Sequence, residues 1–464
     1  MNAPLIWIGL PVIFAIVSIP FIQRRLLVLF LGVILCFLLA LLAWLIPFNN
    51  PIRLGTLAFE LNSVMEILGR RLVLSNGDRP MLVVAYTFGA FWLAGSQAAG
   101  GAKLIVPFGL AIIAVLIASL AVEPFLYAAL LIEGAVLLSV PLLTPVQQQS
   151  TQGVLRYLVF QSLALPFILL AGWAAAGVDL HVGNPVFLIR AVILLGLGFA
   201  FWLGVFPFYT WLPLLAGQSH PYPVGFILMM LPSFVLIFLL GFFDQFAWIR
   251  NTPDFLEIVR LIGAVMIITA GFWSAFQNNL GRLLGYGAII EIGFSLLAIS
   301  LLNRRGIEAF SMMLLPRLLI FGLLSLSFSV ILSKYGSLNL SYLEGSGHQI
   351  PFAAAGLATG IFALTGIPLS ATFAPRFLVL QELSAESLEL TVSVLAGLAG
   401  MLFSGLRVIA VVFRRDDSNW ATEESWVQVV LLSLGLLFVF IMGLFPNFIL
   451  PWMTNLVTAF SKLR

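Results

Sequence analysis

Between residues 26 and 47 no side chain carries a charge, an amide or a hydroxyl. A helix needs about 20 such residues to cross the hydrocarbon core of a bilayer. In lipid, a spanning segment must also satisfy its own backbone polar groups, which a helix does. The same pattern recurs along the chain, with spans expected near 5–22, 26–47, 80–98, 104–122, 125–143, 156–176, 188–206, 223–243, 257–276, 284–302, 309–333, 352–373, 389–412 and 427–452. The expected fold is therefore all-α: a polytopic integral membrane protein of about fourteen transmembrane helices, placed in the cell (inner) membrane. Composition argues against a soluble fold. Hydrophobic residues make up 61% of the chain and charged residues 9%, against about 25% charged in an ordinary soluble domain. Surface shrinks too slowly with size for a soluble protein to hide that much apolar area.

Several function classes fall away at once. The one cysteine, Cys36, lies inside an apolar run, which excludes a disulfide framework and a cysteine-ligated cluster or zinc site. His181, His220 and His348 are scattered, so no histidine metal site is expected. The net charge of +3 is spread over loops with no basic stripe, so nucleic acid is not an expected partner. No dinucleotide fingerprint and no flavin site is visible, and no cofactor is expected. Residues 1–22 lack a basic leader and a small-residue cleavage site, and read as a retained first span. Arg24 and Arg25 favour a cytoplasmic first loop and an outside N-terminus, while Arg304 and Arg305 point the other way. The longest polar stretches, 48–79, 334–351 and 414–426, are loop-sized.

Two segments share an unusual pattern. Residues 201–213 place Pro207 and Pro213 inside or at the end of an apolar run, and residues 365–376 do the same with Pro368 and Pro375. Proline removes a backbone donor and breaks the helix ladder, so both helices are expected to be discontinuous. Backbone freed at membrane depth is tolerated only against protein or a wet cavity. An acid in an apolar span precedes each break: Glu133 lies 74 residues before Pro207, and Glu291 lies 77 before Pro368. Broken helices at matching positions point to an internal repeat of the kind that frames an ion path. The expected layout is three N-terminal helices in 1–103, a first five-helix repeat in 104–243, an inverted second in 257–413, and a C-terminal helix in 414–464.

An ionisable side chain at the bilayer centre costs several kcal/mol unless paired or wetted, which makes each one a functional candidate. Glu133 has no neighbouring charge in sequence, so any partner must come from another helix. Glu291 is the second such acid. Arg317, after Pro316, and Arg376, at the end of the second broken segment, are candidate counter-charges for the acids; Arg407 reads as reaching toward the interface. Arginine does not deprotonate in proteins, so these residues can act only as fixed charges.

The order of these features resembles the antiporter-like membrane subunits of respiratory complex I, a family shared with cation/proton antiporter subunits and membrane-bound hydrogenases. The likeness runs from about Leu104 to Arg414. Residues 204–213 are similar to that family's proline-broken seventh helix, followed by Pro221-Tyr222-Pro223-Val224 for its Pro-Thr-Pro-Val. Residues 279–286 resemble its Asn-Leu-Lys-Arg-Leu-Leu-Ala-Tyr, and Gly366-Ile367-Pro368 with Phe373 and Arg376 resembles its broken twelfth helix. Arg156-Tyr157 opens a helix similar to its sixth. In that family protons are thought to cross along a glutamate on helix five and lysines on helices seven, eight and twelve. Glu133 matches the glutamate. Trp202 stands where the seventh-helix lysine would be, Ser233 where the eighth-helix lysine would be, and Arg376 where the twelfth-helix lysine would be. Glu291 occupies a tenth-helix His or Gln position, and Tyr209 and Leu214 replace the usual His and Asp.

The resemblance implies a membrane subunit of a complex I-like NAD(P)H:quinone oxidoreductase. Its partners would be the other membrane subunits and the lipid bilayer, with quinone and NADH bound by partner subunits. The lost lysines leave two options: a route rebuilt around Glu133, Glu291 and water held by Ser233, Gln161 and Ser162, or a copy that no longer conducts. Alternatives are a cation/proton antiporter or inorganic-carbon uptake subunit, and a non-conducting assembly scaffold.

Overall fold

The structure, a computed structural model, describes every residue except 1, 50, 51, 55, 56, 68, 101–103, 145–151, 181–184, 415–421, 461 and 464. Of the histidines named above, His181 lies outside the described residues. The helices run in order α1 (Leu10–Ser18), α2 (Arg25–Leu45), α3 (Arg79–Gly95), α4 (Ile105–Ala121), α5 (Ala128–Leu143), α6 (Gln152–Leu180), α7 (Pro185–Leu203), α8 (Trp211–Gln218) and α9 (Pro221–Gln245). They continue as α10 (Ala247–Arg250), α11 (Pro253–Ala275), α12 (Leu280–Ser300), α13 (Arg304–Tyr335), α14 (Pro351–Thr365), α15 (Phe373–Glu386), α16 (Leu388–Val412), α17 (Trp426–Leu444) and α18 (Pro446–Met453). The chain is a predominantly helical membrane protein. Among the described residues ten helices are long and apolar enough to cross a bilayer, and the shorter apolar helices Leu5–Ser18, Ile105–Ala121 and Pro351–Thr365 stand at the first, fourth and twelfth expected positions.

Burial sorts the helices. In α9 and α12, 94% of the apolar window is inside the protein, and in α13 83%, whereas α2 has 33% and α17 has 17%. A helix that is apolar all round belongs in a core or in lipid; the first three form the packed centre, and α2 and α17 turn most of their surface outward. The stretch expected to be a plain loop, 48–79, instead carries two small antiparallel sheets, Ile52–Leu54 with Leu57–Phe59, and Val64–Ile67 with Arg70–Val73 and Val122–Glu123. Gly69, at φ +73°, supplies the left-handed turn of the second hairpin.

Both expected breaks are present. α7 stops at Leu203, Gly204 turns left-handed at φ +58°, and α8 begins only at Trp211. α14 stops at Thr365, Gly366 takes φ +70° as its C-cap, and α15 begins at Phe373. Left-handed glycine is the usual helix stop because it has no Cβ to clash. Of the four prolines expected to break helices, Pro207 and Pro368 lie in the gaps. Pro213 and Pro375 sit in the first turn of α8 and α15, where a missing N–H removes no helix bond.

Candidate functional site

The two acids end in different surroundings. Glu291, on α12, is fully buried, as are Arg317 (1% exposed) from α13 and Arg376 (2%) from α15. Arg317 Nε donates to Glu291 Oε2 at 3.3 Å, and its Nη2 donates to the Glu291 backbone carbonyl at 3.1 Å and to Ser295 Oγ. Arg376 Nη2 donates to Glu291 Oε1, and its Nη1 donates to the Leu364 carbonyl at 2.5 Å. The Arg376 guanidinium also covers the Phe294 ring, 4.6 Å from its centroid. Residues 291, 294 and 295 share one face of α12 because positions three and four apart stack. The arrangement also needs Gly366: a Cβ there would come within 3.0 Å of Arg376 Cδ.

This cluster holds two guanidiniums and one carboxylate. Its members satisfy one another's hydrogen bonds well, apart from Arg317 Nη1 and Arg376 Nε, which have no hydrogen-bond partner among the described residues. The acid is clamped from both sides by groups that cannot give up a proton. Chemically it is a fixed, net-positive centre. Arg376 also borders a cavity of about 530 Å³ between α15 and α16, with Phe377, Leu380 and Leu395 as its apolar wall and Gln381 and Ser384 at its rim.

Glu133, on α5, has none of this. Ser162 on α6 donates to its Oε1 at 2.5 Å, and its buried Oε2 has no hydrogen-bond partner among the described residues. Neither Arg317 nor Arg376 pairs with it; both go to Glu291. Among the described residues Glu133 forms no ion pair, so the expectation that the arginines serve both acids holds for Glu291 alone.

The remaining candidates sit around the first break. Gln161 is fully buried and donates from Nε2 to the Trp202 carbonyl at 3.0 Å. Trp202 packs its ring against Phe199 and Phe238, each 6.0 Å away, so an aromatic contact fills the position that the resemblance matches to a lysine. Ser233 spends its hydroxyl on the Met229 carbonyl of its own helix, 2.6 Å away. Arg407 donates to the carbonyl of Gln277, just past the end of α11.

A correspondence links the two breaks. The carbonyl two residues before each left-handed glycine is held from elsewhere: Trp202 by Gln161 and Leu364 by Arg376. Sequence reasoning missed Leu364, Phe294 and Ser295. Ser295 was within reach, since it lies one turn after Glu291 on the same face; a backbone carbonyl carries no sequence signal.

Residues 134–404, more than half of the chain, match the family described as NADH:quinone oxidoreductase/Mrp antiporter, transmembrane. The NADH-quinone oxidoreductase subunit N of Ectopseudomonas mendocina is 24% identical over 351 residues, covering 69% of this chain and 70% of that protein. Subunit N 1 of Herpetosiphon aurantiacus is 27% identical over 299 residues, covering 63% of this chain and 58% of that protein. Among solved structures, a chain of the Mrp complex from Dietzia sp. superposes with a TM-score of 0.84 at 15% identity, covering 99% of this chain and 97% of that one. A chain of the archaeal membrane-bound sulfane sulfur reductase gives 0.83 at 16% identity, covering 100% and 98%. Respiratory complex I from Thermus thermophilus with bound NADH gives 0.77 at 19% identity, covering 99% of both chains. The structural likenesses carry the fold; the sequence match carries the membership. The chain belongs to the NADH:quinone oxidoreductase/Mrp antiporter transmembrane family.

Proposed function

We propose that this chain is a membrane subunit of a complex I-like NAD(P)H:quinone oxidoreductase, where it contributes a proton path centred on Glu133. NADH and quinone would be bound by partner subunits, and the chain's own partners would be neighbouring membrane subunits. The observation that carries the reading is the state of Glu133: a carboxyl in a membrane-embedded helix, with one oxygen held by Ser162 and, among the described residues, no partner for the other and no ion pair. Such a group can take up and release a proton without first breaking an ion pair. Glu291 would serve differently, as a counter-charge fixed between Arg317 and Arg376.

The two-repeat layout, 104–243 and 257–413, is part of the same proposal. Its support is the matching contact order: α4 packs on α5, α5 on α6, and α6 on α7 and α8, as α11 packs on α12, α12 on α13, and α13 on α14 and α15. Glu133 and Glu291 occupy the same place in this order, and so do the two broken helices.

The test is proton pumping by the assembled complex in vesicles. Glu133→Gln is expected to lower pumping while the complex still assembles; unchanged pumping would remove Glu133 from the path. A scaffold reading has its own support, since Trp202 stands at the lysine position and Glu291 is clamped. It requires that Glu133→Gln and Glu291→Gln together leave transport untouched in an intact assembly. Purifying the complex and identifying its partners separates both readings from a free-standing antiporter or an inorganic-carbon uptake pair.

A further inference from the structure

Within the span, polar side chains on α5 and α6 lie on one side of Glu133, Asp179 at the far end of α6 apart. On α6, residues 152–162 include Gln152, Arg156, Tyr157, Gln161 and Ser162, whereas residues 163–178 carry no charge, amide or hydroxyl. On α5, Ser139 follows Glu133, and residues 128–132 before it are apolar. The two helices pack together, with the C-terminal end of α5 and the N-terminal end of α6 on the same membrane side. At 1.5 Å per residue, Glu133 and Ser162 each lie about 15 Å from those ends, near the middle of a 30 Å core. Ser139 and Tyr157 lie about 6 and 8 Å from the same ends.

The second pair is joined. Ser139 Oγ and Tyr157 Oη are 2.9 Å apart, and both residues are fully buried. Ser139 also donates to the Val136 carbonyl at 2.6 Å, so in this arrangement Tyr157 is the donor to Ser139. The Tyr157 ring rests on Trp211 of α8, 5.4 Å between centroids, which sets this hydroxyl pair against the helix that follows the first break. The other end of α5 is closed by aromatic packing: Phe125 lies 4.9 Å from Phe242 and 5.7 Å from Phe238.

We propose that Ser139 and Tyr157 relay protons between Glu133 and the membrane side where α5 ends and α6 begins. The proposal rests on the reading of Glu133 as the proton-exchanging acid, and adds the residues and the side through which it exchanges. Six residues along α5 separate the two rungs, about 9 Å in axial rise, and a short row of hydrogen-bonded waters is the bridge the relay requires between them. Unpartnered buried acceptors at Glu133 Oε2 and Gln161 Oε1 are suited to hold them. A proton leaving Glu133 shifts one O–H along each member of the row. Every hydroxyl gives one proton and receives one, and the charge emerges at the surface.

The experiment is hydrogen–deuterium exchange of the Glu133 carboxyl, followed by infrared spectroscopy on the full chain in lipid nanodiscs. The band is assigned as the one lost in Glu133→Gln. Tyr157→Phe keeps the ring on Trp211 and removes only the hydroxyl, and is expected to slow exchange by about tenfold or more. Ser139→Ala, a second small deletion, is expected to act in the same direction. Wild-type exchange rates in both variants, with wild-type melting temperatures, would overturn the relay while leaving Glu133 as the exchanging acid. If Glu133→Gln removes no carboxyl band, the reading of Glu133 itself fails, and the relay with it.

Discussion

Glu291 and Arg376 lie 85 residues apart in the chain and share a buried hydrogen bond. The same guanidinium holds the Leu364 carbonyl, at the C-terminal end of α14. One side chain therefore ties the two halves of a broken helix to an acid on a third helix. Arg317 completes the clamp, and the three side chains together carry one excess positive charge.

That excess ranks the consequences of removing each member. Glu291→Gln leaves two buried guanidiniums without a counter-charge, and is expected to cost about 3–5 kcal/mol, the usual penalty for a stranded buried charge. Arg376→Gln leaves a neutral Glu291–Arg317 pair and forfeits hydrogen bonds worth about 1–3 kcal/mol. Thermal unfolding of the purified protein in detergent measures both. If Arg376→Gln is the more damaging of the two, the cluster is not governed by its net charge.

Close backbone approach holds α11 to α16. A Cβ built on Gly271 would fall 1.8 Å from the Gly397 carbonyl oxygen, and one built on Gly397 would fall 2.8 Å from that of Ile267. Neither neighbour is a flexible side chain that could swing away. Gly271→Val is expected to destabilise by about 1–3 kcal/mol or more through overpacking. The check is the melting temperature together with the yield of assembled complex; a variant that melts like wild type would show that these helices separate easily.

Glu424, in the connection before α17, accepts the backbone N–H groups of Phe352 and Ala353 at 3.0 and 2.7 Å, capping the start of α14. Burial raises its carboxyl above the usual range, while those two hydrogen bonds and Lys334 pull the other way. The folded state therefore holds the proton more tightly than the unfolded chain does. Its contribution is fully present below the unfolded value of about 4.3 and is lost as pH rises through the raised folded value. Glu424→Gln should flatten the dependence of melting temperature on pH in that window. An unchanged slope would assign it to other groups.

Much of the fold was legible in residues alone, because the strongest determinants are local. An apolar run of spanning length must be a helix wherever it ends up, and a left-handed glycine followed by proline stops a helix whatever surrounds it. Hence the membrane class, both breaks at Pro207 and Pro368, and the two embedded acids could be read in advance. The roles of Pro213 and Pro375 could not: a proline in a gap and one in a first turn look alike until the cap is seen. The small sheets between α2 and α3 were not legible because their strands are only three or four residues long, too short for a pattern, and one of them, Arg70–Val73, also pairs with the distant Val122–Glu123.

What the amino-acid sequence determined by itself was the inventory of charges placed in the membrane. Tertiary structure alone decided how they are shared. Both arginines turn to Glu291 because α13 and α15 bring them there, across separations of 26 and 85 residues. Glu133 is left with a serine, because α6 presents Ser162 where a cation would be needed. Pairing across helices depends on the rotation of each helix about its axis, which is set by packing against all its neighbours together. No local stretch of residues contains that information.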